Sequence, residues 1–246
     1  MNNDGDLTYS DAIEQVMRNN GYFAPLKLLY KEIWNYKDKS KIVGKTPDFT
    51  IQERVQRDNR FTRIGVGVYA LTDFLDRLQK TEEPKQKEEK IEYQHARIQG
   101  MLLEMGELEG FSTYTNDKSK TFDGKKLGLI SSLKECPPFT YPEVIQHSVR
   151  FFDVIWFNAR GFPYKIFEVE NSTDFRGAFV KFVEMQDFFA KFFVVAPDER
   201  KTKFEVENGK RAFESVAKRC KFNSYEDVEK SYGNLLAHSS TKSIFD

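Results

Sequence analysis

Along the N-terminal third of the chain the apolar positions change period. Thr8-Tyr9-Ser10-Asp11 offers capping side chains ahead of Ala12, Ile13, Val16 and Met17, whose spacing makes one apolar helical face. Asn19-Asn20-Gly21 ends that helix. Leu26, Leu28, Leu29, Ile33 and Trp34 predict a second short helix, and residues 50–58 a third after the Thr46-Pro47 turn. The pattern then shortens: Phe61, Ile64, Val66, Val68, Tyr69 and Leu71 are strand formers, and Gly65 and Gly67 suit a turn or bulge between two arms of a hairpin.

A mixed-charge segment, KTEEPKQKEEKIE at 80–92, reads as a linker or a solvated helix start and divides the chain into expected domains 1–79 and 93–246. Beyond it, Ile98, Met101, Leu102 and Met105 mark an opening helix over 91–107, followed by strand-like residues 110–114, a polar NDKSK run and a loop rich in Gly and Pro. VRFFDVIWFN at 149–158 predicts a strand, Gly161-Phe162-Pro163 a tight turn, and YKIFEVE at 164–170 a returning strand. A helix over 176–188, a strand over 192–196 and a helix from Glu199 complete an α/β layout.

Composition narrows the picture. No apolar run approaches the 18 residues of a membrane span, and the opening MNNDGDLTYSD lacks the basic-then-apolar pattern of a secretory signal, so a cytoplasmic protein is expected. Cys136 and Cys220 are too few for a disulfide framework, and with His95, His147 and His238 they form no zinc-ligand spacing. The formal net charge is +0, which removes the basic excess that advertises nucleic-acid binding. A nuclease is still compatible with neutrality, because carboxylates that hold metal offset the lysines and arginines that meet phosphate.

Three helices followed by a hairpin is the winged-helix order. The segments SDAIEQVM, KEIWNY, GKTPDFTIQERVQRD and FTRIGVGVYAL, spanning Tyr9 to Leu71, resemble the HARE-HTH winged helix, a module found fused to restriction enzymes and chromatin proteins. The resemblance implies a third helix presented to DNA, and this one carries Gln52, Arg54, Gln56 and Arg57, side chains able to reach base edges or phosphates; Arg63 on the hairpin joins the same DNA-binding set. The alternative is a solvated helix face. Gly44-Lys45-Thr46 is no phosphate-binding loop, since the upstream glycine is missing and Pro47 follows.

The second domain carries the chemistry. Asp153 interrupts an apolar strand, where an unpartnered charge is costly, and Glu168 and Glu170 alternate onto one face of the next strand. Phosphodiester hydrolysis calls for a hard divalent cation held by oxygen ligands, and acids converging from adjacent strands provide them. Asp153 followed by Glu168-Val169-Glu170 resembles the D…(D/E)-x-K signature of the restriction-endonuclease fold, with Glu170 where that pattern has Lys. If a lysine is required, Lys181 or Arg176 on the following helix is in position to supply it, whereas Lys165 faces the other way. Gln99 on the opening helix, one turn after His95, is a further candidate beside the metal, with Glu104 as the other; Asn171 either orients water or bonds the DNA backbone, or is simply a turn residue. An acidic pair on a solvent face is the competing reading. FEVEN recurs at 204–208, but no apolar strand with an Asp precedes that copy at hairpin distance, so catalysis is assigned to the first.

The expected fold is α/β, with an N-terminal winged-helix domain and a C-terminal restriction-endonuclease-like α/β/α domain around a mixed sheet. The expected activity is a Mg²⁺-dependent type II DNA endonuclease with one or two ions per site, Mn²⁺ being a substitute. Asp153, Glu168 and Glu170 would be ligands and Gln99 a catalytic neighbour. Double-stranded DNA, a second copy of the chain paired through the C-terminal helices, and a cognate methyltransferase are the expected partners, and an endonuclease sensitive to base modification is a close variant of this reading. A non-catalytic DNA-binding regulator with a nuclease-like domain is the alternative, and an RNA or structure-specific nuclease a third reading.

Overall fold

Helix α1 (Tyr9–Asn19) begins at the anticipated cap, with Thr8 Oγ1 accepting the Asp11 amide at 3.2 Å, and buries Ala12, Ile13, Val16 and Met17. A computed structural model describes residues 7–42, 46–78, 84–171 and 174–241; Gly44-Lys45 and positions 80–83 of the mixed-charge segment lie outside them. Gly21 and Tyr22 both take positive φ, turning the chain from α1 into a three-residue strand, β1 (Phe23–Pro25). There follow α2 (Leu26–Glu32), α3 (Pro47–Arg57) with Pro at its first turn, and the hairpin β2 (Phe61–Gly65) and β3 (Val68–Leu71). These form an antiparallel sheet in the order β1-β3-β2, with a register shift between Arg63 and Gly65. Ile13, Met17, Leu29, Ile33, Ile51 and Val55 make a core of their own. Arg60 binds Asp58 at 2.9 Å and Asp11 at 2.9 Å, tying the start of the hairpin to α1. Residues 1–79 form one compact unit and residues 80–246 a second.

The second unit opens with α4 (Lys87–Leu108), which starts inside the segment read as a linker and becomes fully buried toward its C-terminal half. Two of its acids there are paired. Glu107 accepts the Thr113 N–H at 3.0 Å and the Thr113 hydroxyl at 2.6 Å, and Glu104 pairs with Lys125 at 2.6 Å while accepting the Tyr232 hydroxyl at 2.6 Å. After β4 (Ser112–Tyr114) come a small ladder, β5 (Thr121–Phe122) with β6 (Lys125–Lys126), and two short helices, α5 (Leu127–Ile130) and α6 (Pro142–His147). The run expected to be one strand from Val149 splits: Val149–Phe151 is a 3-10 turn and only β7 (Val154–Phe157) is extended. A continuous apolar run does not encode its own conformation, and here half-exposed Phe151 leaves the sheet.

Gly161, at φ 78°, makes the turn into β8 (Pro163–Val169), with Asn158 Oδ1 accepting the Arg160 and Phe162 amides. Then come α7 (Arg176–Val183), β9 (Lys191–Ala196), α8 (Lys201–Asn208), α9 (Glu214–Ala217), β10 (Cys220–Ser224) and α10 (Tyr225–Thr241). The five-stranded sheet runs β10-β9-β8-β7-β4, parallel across β10-β9-β8 and antiparallel across β8-β7-β4. Ile155, Ile166, Phe192 and Val194 pack against Phe179 and Phe182 of α7 and Phe204 of α8. Trp156, Phe167 and Phe193 instead line a cavity of about 210 Å³ with Leu102 and Met105 of α4 and Val228 of α10. The result is a three-layer α/β arrangement around a mixed sheet.

α10 spends its inner face on this packing, with Val228 and Tyr232 buried and Glu229 paired with Arg97 of α4. A second copy of the chain would therefore have to use another face of that helix.

Candidate active site

The site is assembled at the end of β7 and β8. Their register pairs Val154 with Phe167, so one step further sets Asp153 opposite Glu168. Phe152 and Val154, both fully buried, lock the chain on either side of Asp153, which is itself 8 % exposed. Its Oδ2 accepts the Val169 N–H at 2.7 Å, and its Oδ1 accepts Gln99 Nε2 at 3.1 Å.

Glu168 is 2 % exposed and forms an ion pair with Lys181 of α7. Burial, and then the Asp153 charge, push its carboxyl well above the usual range, against the pull of Lys181. Lys181 also reaches the Phe151 carbonyl at 3.4 Å. Of the two basic residues considered for the missing lysine, α7 brings Lys181 to the carboxylates and leaves Arg176 exposed at its start. Lys165 is on the α4 side, 3.2 Å from Glu109 and over the Trp156 ring.

Glu170 lies past the end of β8, half-buried, with its N–H on the Val195 carbonyl at 2.8 Å. Its charge is felt by Glu168 and by Tyr225, whose hydroxyl is held above its ordinary range by burial first and then by Asp153 and Glu170. Asn171 donates to the Ile91 carbonyl at 3.4 Å. Gln99, fully buried, bridges two acids: its Nε2 donates to Asp117 Oδ2 at 2.9 Å as well as to Asp153. Glu104, the other candidate on α4, is turned to Lys125.

Asp117 and His95 are the residues that sequence reasoning passed over, the first as part of a polar loop and the second for want of ligand spacing. The antiparallel pairing of Tyr114 with Ile155 carries the chain after β4 toward Asp153, and this is the signal that points to Asp117. His95 Nε2 lies 3.4 Å from Asp153 Oδ2, and its Nδ1 lies 3.8 Å from Asp117 Oδ2. Burial disfavours the imidazolium, but the hydrogen bond and charge of Asp153 outweigh it and hold His95 above its ordinary range.

The donor chemistry suits a divalent cation. His95, Asp117 and Asp153 each offer one ligand atom, all within 4.8 Å of one another. Gln99 Oε1, Glu168 Oε1 and His95 Nδ1 are buried without a hydrogen-bond partner.

In the first unit, Gln52 is half-buried on α3, and Arg54, Gln56 and Arg57 are exposed there, with Arg57 paired to Glu53 at 2.7 Å. Arg63 is partly buried and donates to the Gly65 carbonyl at 3.0 Å, beside the register shift.

A mixed five-stranded sheet between helices, with buried acids at the ends of adjacent strands, is consistent with an α/β nuclease-like domain. The model of the family described as type II restriction enzyme NmeDI C-terminal domain matches residues 76–245, more than half of the chain, and the chain belongs to that family. The class is thus a type II restriction endonuclease, with DNA as its partner. Among curated proteins and among solved structures, nothing matches the chain. No described helix is long and apolar enough to cross a membrane.

Proposed function

We propose that this chain is a metal-dependent DNA endonuclease whose second unit is a PD-(D/E)xK-type domain and whose first is a HARE-HTH-like winged helix that selects the site. The observation that carries this reading is the buried, opposed pair Asp153 and Glu168 with Lys181 beside it. Three helices with a hairpin, and the exposed Arg54, Gln56 and Arg57 on α3, support the DNA-reading role.

A bound divalent cation, Mg²⁺ or in its place Mn²⁺, one or two per site, would neutralise phosphate charge and acidify the attacking water. Asp153 and Glu168 would hold it, with Gln99 orienting Asp153. Lys181 takes the place of the lysine that Glu170 displaces from the motif, bringing positive charge to the scissile phosphate and fixing the Glu168 carboxylate. Glu170 would complete the ligand set or accept the proton of the nucleophilic water as the 3′-oxygen leaves. One such site cuts one strand, so double-strand cleavage implies a homodimer or successive binding events. A cognate methyltransferase and cytoplasmic action on incoming DNA belong to the same reading.

The test is incubation of the purified chain with plain, methylated and hydroxymethylated phage or plasmid DNA in Mg²⁺. Metal-dependent cutting of at least one of these is expected, and the pattern reports whether modification is required or blocks cleavage. Binding without cutting on all three would leave a DNA-binding regulator with a nuclease-like domain, the reading that Glu170 in the lysine position favours.

A further inference from the structure

Three side chains from three separate elements converge beside the carboxylate pair: His95 from α4, Asp117 from the loop after β4, and Asp153 ahead of β7. The separations are 3.4 Å from His95 Nε2 to Asp153 and 3.8 Å from His95 Nδ1 to Asp117. Ligands at about 2.1 Å around an octahedral ion stand roughly 3.0 Å apart when adjacent and about 4.2 Å apart when opposite. Those two contacts use different ring nitrogens; with one ligand atom taken from each residue, the three atoms lie within 4.8 Å of one another, near the wider of those spacings.

Gln99 gives an independent indication. Fully buried, it holds Asp117 and Asp153 through one amide nitrogen, at 2.9 and 3.1 Å, and its Oε1 has no hydrogen-bond partner. A buried amide so placed fixes the orientation of both carboxylates, and its own oxygen is left with no hydrogen-bond partner. Lys120, 3.1 Å from Asp117, sits at the partly exposed rim. Asp153 is the buried member, and His95 is a basic side chain within 4.0 Å of its carboxylate.

We propose that His95 and Asp117 join Asp153 in coordinating the cation, through one imidazole nitrogen and two carboxylate oxygens, and that the site accordingly takes Mn²⁺ in preference to Mg²⁺. This rests on the reading of the second unit as a metal-dependent nuclease and adds to it a ligand set that the Asp153, Glu168 and Glu170 motif does not contain. Mg²⁺ is a hard ion that favours oxygen and retains water, while an imidazole nitrogen favours first-row transition ions. Mn²⁺ accepts both donor types, so a set of one nitrogen and several oxygens separates it from Mg²⁺.

The experiment uses the full chain, stripped of metal and loaded with one equivalent of Mn²⁺ chloride, without DNA. Electron spin echo modulation should report a directly coordinated imidazole ¹⁴N, absent from His95→Ala. Calorimetry should show Mn²⁺ binding weakened on the order of tenfold or more by His95→Ala and by Asp117→Ala. Mg²⁺ should displace Mn²⁺ from the unsubstituted chain only in roughly tenfold or greater excess. The spin-echo arm on the unsubstituted chain stands even if a variant misfolds, and His95→Gln, which keeps a polar group, provides a second variant. Lack of nitrogen modulation, or unchanged Mn²⁺ affinity in a folded His95→Ala, overturns the proposal. If Asp153→Ala then still loses cation binding, the nuclease reading stands without this ligand set. If the unsubstituted chain binds neither Mn²⁺ nor Mg²⁺, with or without DNA, both fall.

Discussion

Glu168 is a carboxylate sealed from water, opposite another acid, with Lys181 as its cation. Replacing Lys181 by Met removes positive charge at the phosphate without removing a candidate ligand. The expected result is a cleavage rate lower by about 10²–10³ with cation affinity undiminished, since net negative charge around the ion increases. Single-turnover cleavage and calorimetry on the variant check it, and an unchanged rate would remove Lys181 from the chemistry.

A second residue-scale test concerns stability. Asp58 is held at about 2, chiefly by its hydrogen bond to Arg60. Because its folded pKa lies below the ordinary carboxylate value, its contribution to stability is present above about pH 4 and is lost as pH falls toward about 2. Asp58→Asn should therefore melt below the unsubstituted protein at pH 7, and the gap should close on acidification. A gap that persists at pH 2 would contradict this.

Among the elements, α4 is the one on which the site leans. It delivers His95 and Gln99 to Asp153 and, two turns on, buries the Glu104 and Lys125 pair, both fully enclosed. Lys125→Met would take the paired cation away from buried Glu104, and a loss of ~3–5 kcal/mol in denaturant unfolding is expected. Gly106 permits the same helix to meet the sheet: a Cβ there would stand 2.7 Å from Trp156 and from Thr113. Gly106→Ala should cost about 1–3 kcal/mol despite the better helix propensity of Ala, with an altered Trp fluorescence.

The repeated pentapeptide bears on what the chain reveals by itself. Phe167–Asn171 runs out of β8, where Phe167 stacks on Phe193 at 4.9 Å and strands pair on both sides. Phe204–Asn208 is the end of α8, with Phe204 in the core and Glu207 bonded to Lys210 one turn on. Identical residues thus take opposite conformations, and only the apolar hairpin around the first copy tells them apart in the sequence. Long periodic segments such as α1, α4 and β9 are legible for the same reason, since each is amphipathic or apolar over its length. The three-residue β1, the polar edge strand β10 and the approach of Asp117 to Asp153 are not, because each is set by what the chain meets in the sheet and leaves no period in the sequence.

At the scale of the whole molecule, reading and cutting are proposed for separate units, so they should fail separately. Arg54→Ala with Arg57→Ala on α3 should weaken DNA binding and flatten its salt dependence by about one in slope for each phosphate no longer neutralised. Cleavage at saturating DNA should be spared. Loss of rate at saturation, with affinity intact, would contradict that division. The central claim is that Asp153 and Glu168 hydrolyse DNA, and it is most directly tested by single-turnover cleavage in Mg²⁺ with binding measured in parallel in Ca²⁺, comparing the unsubstituted chain with Asp153→Ala and Glu168→Ala. Both variants should fold and bind DNA but cut at least roughly 10³-fold more slowly. Cleavage by either variant at the unsubstituted rate would contradict it.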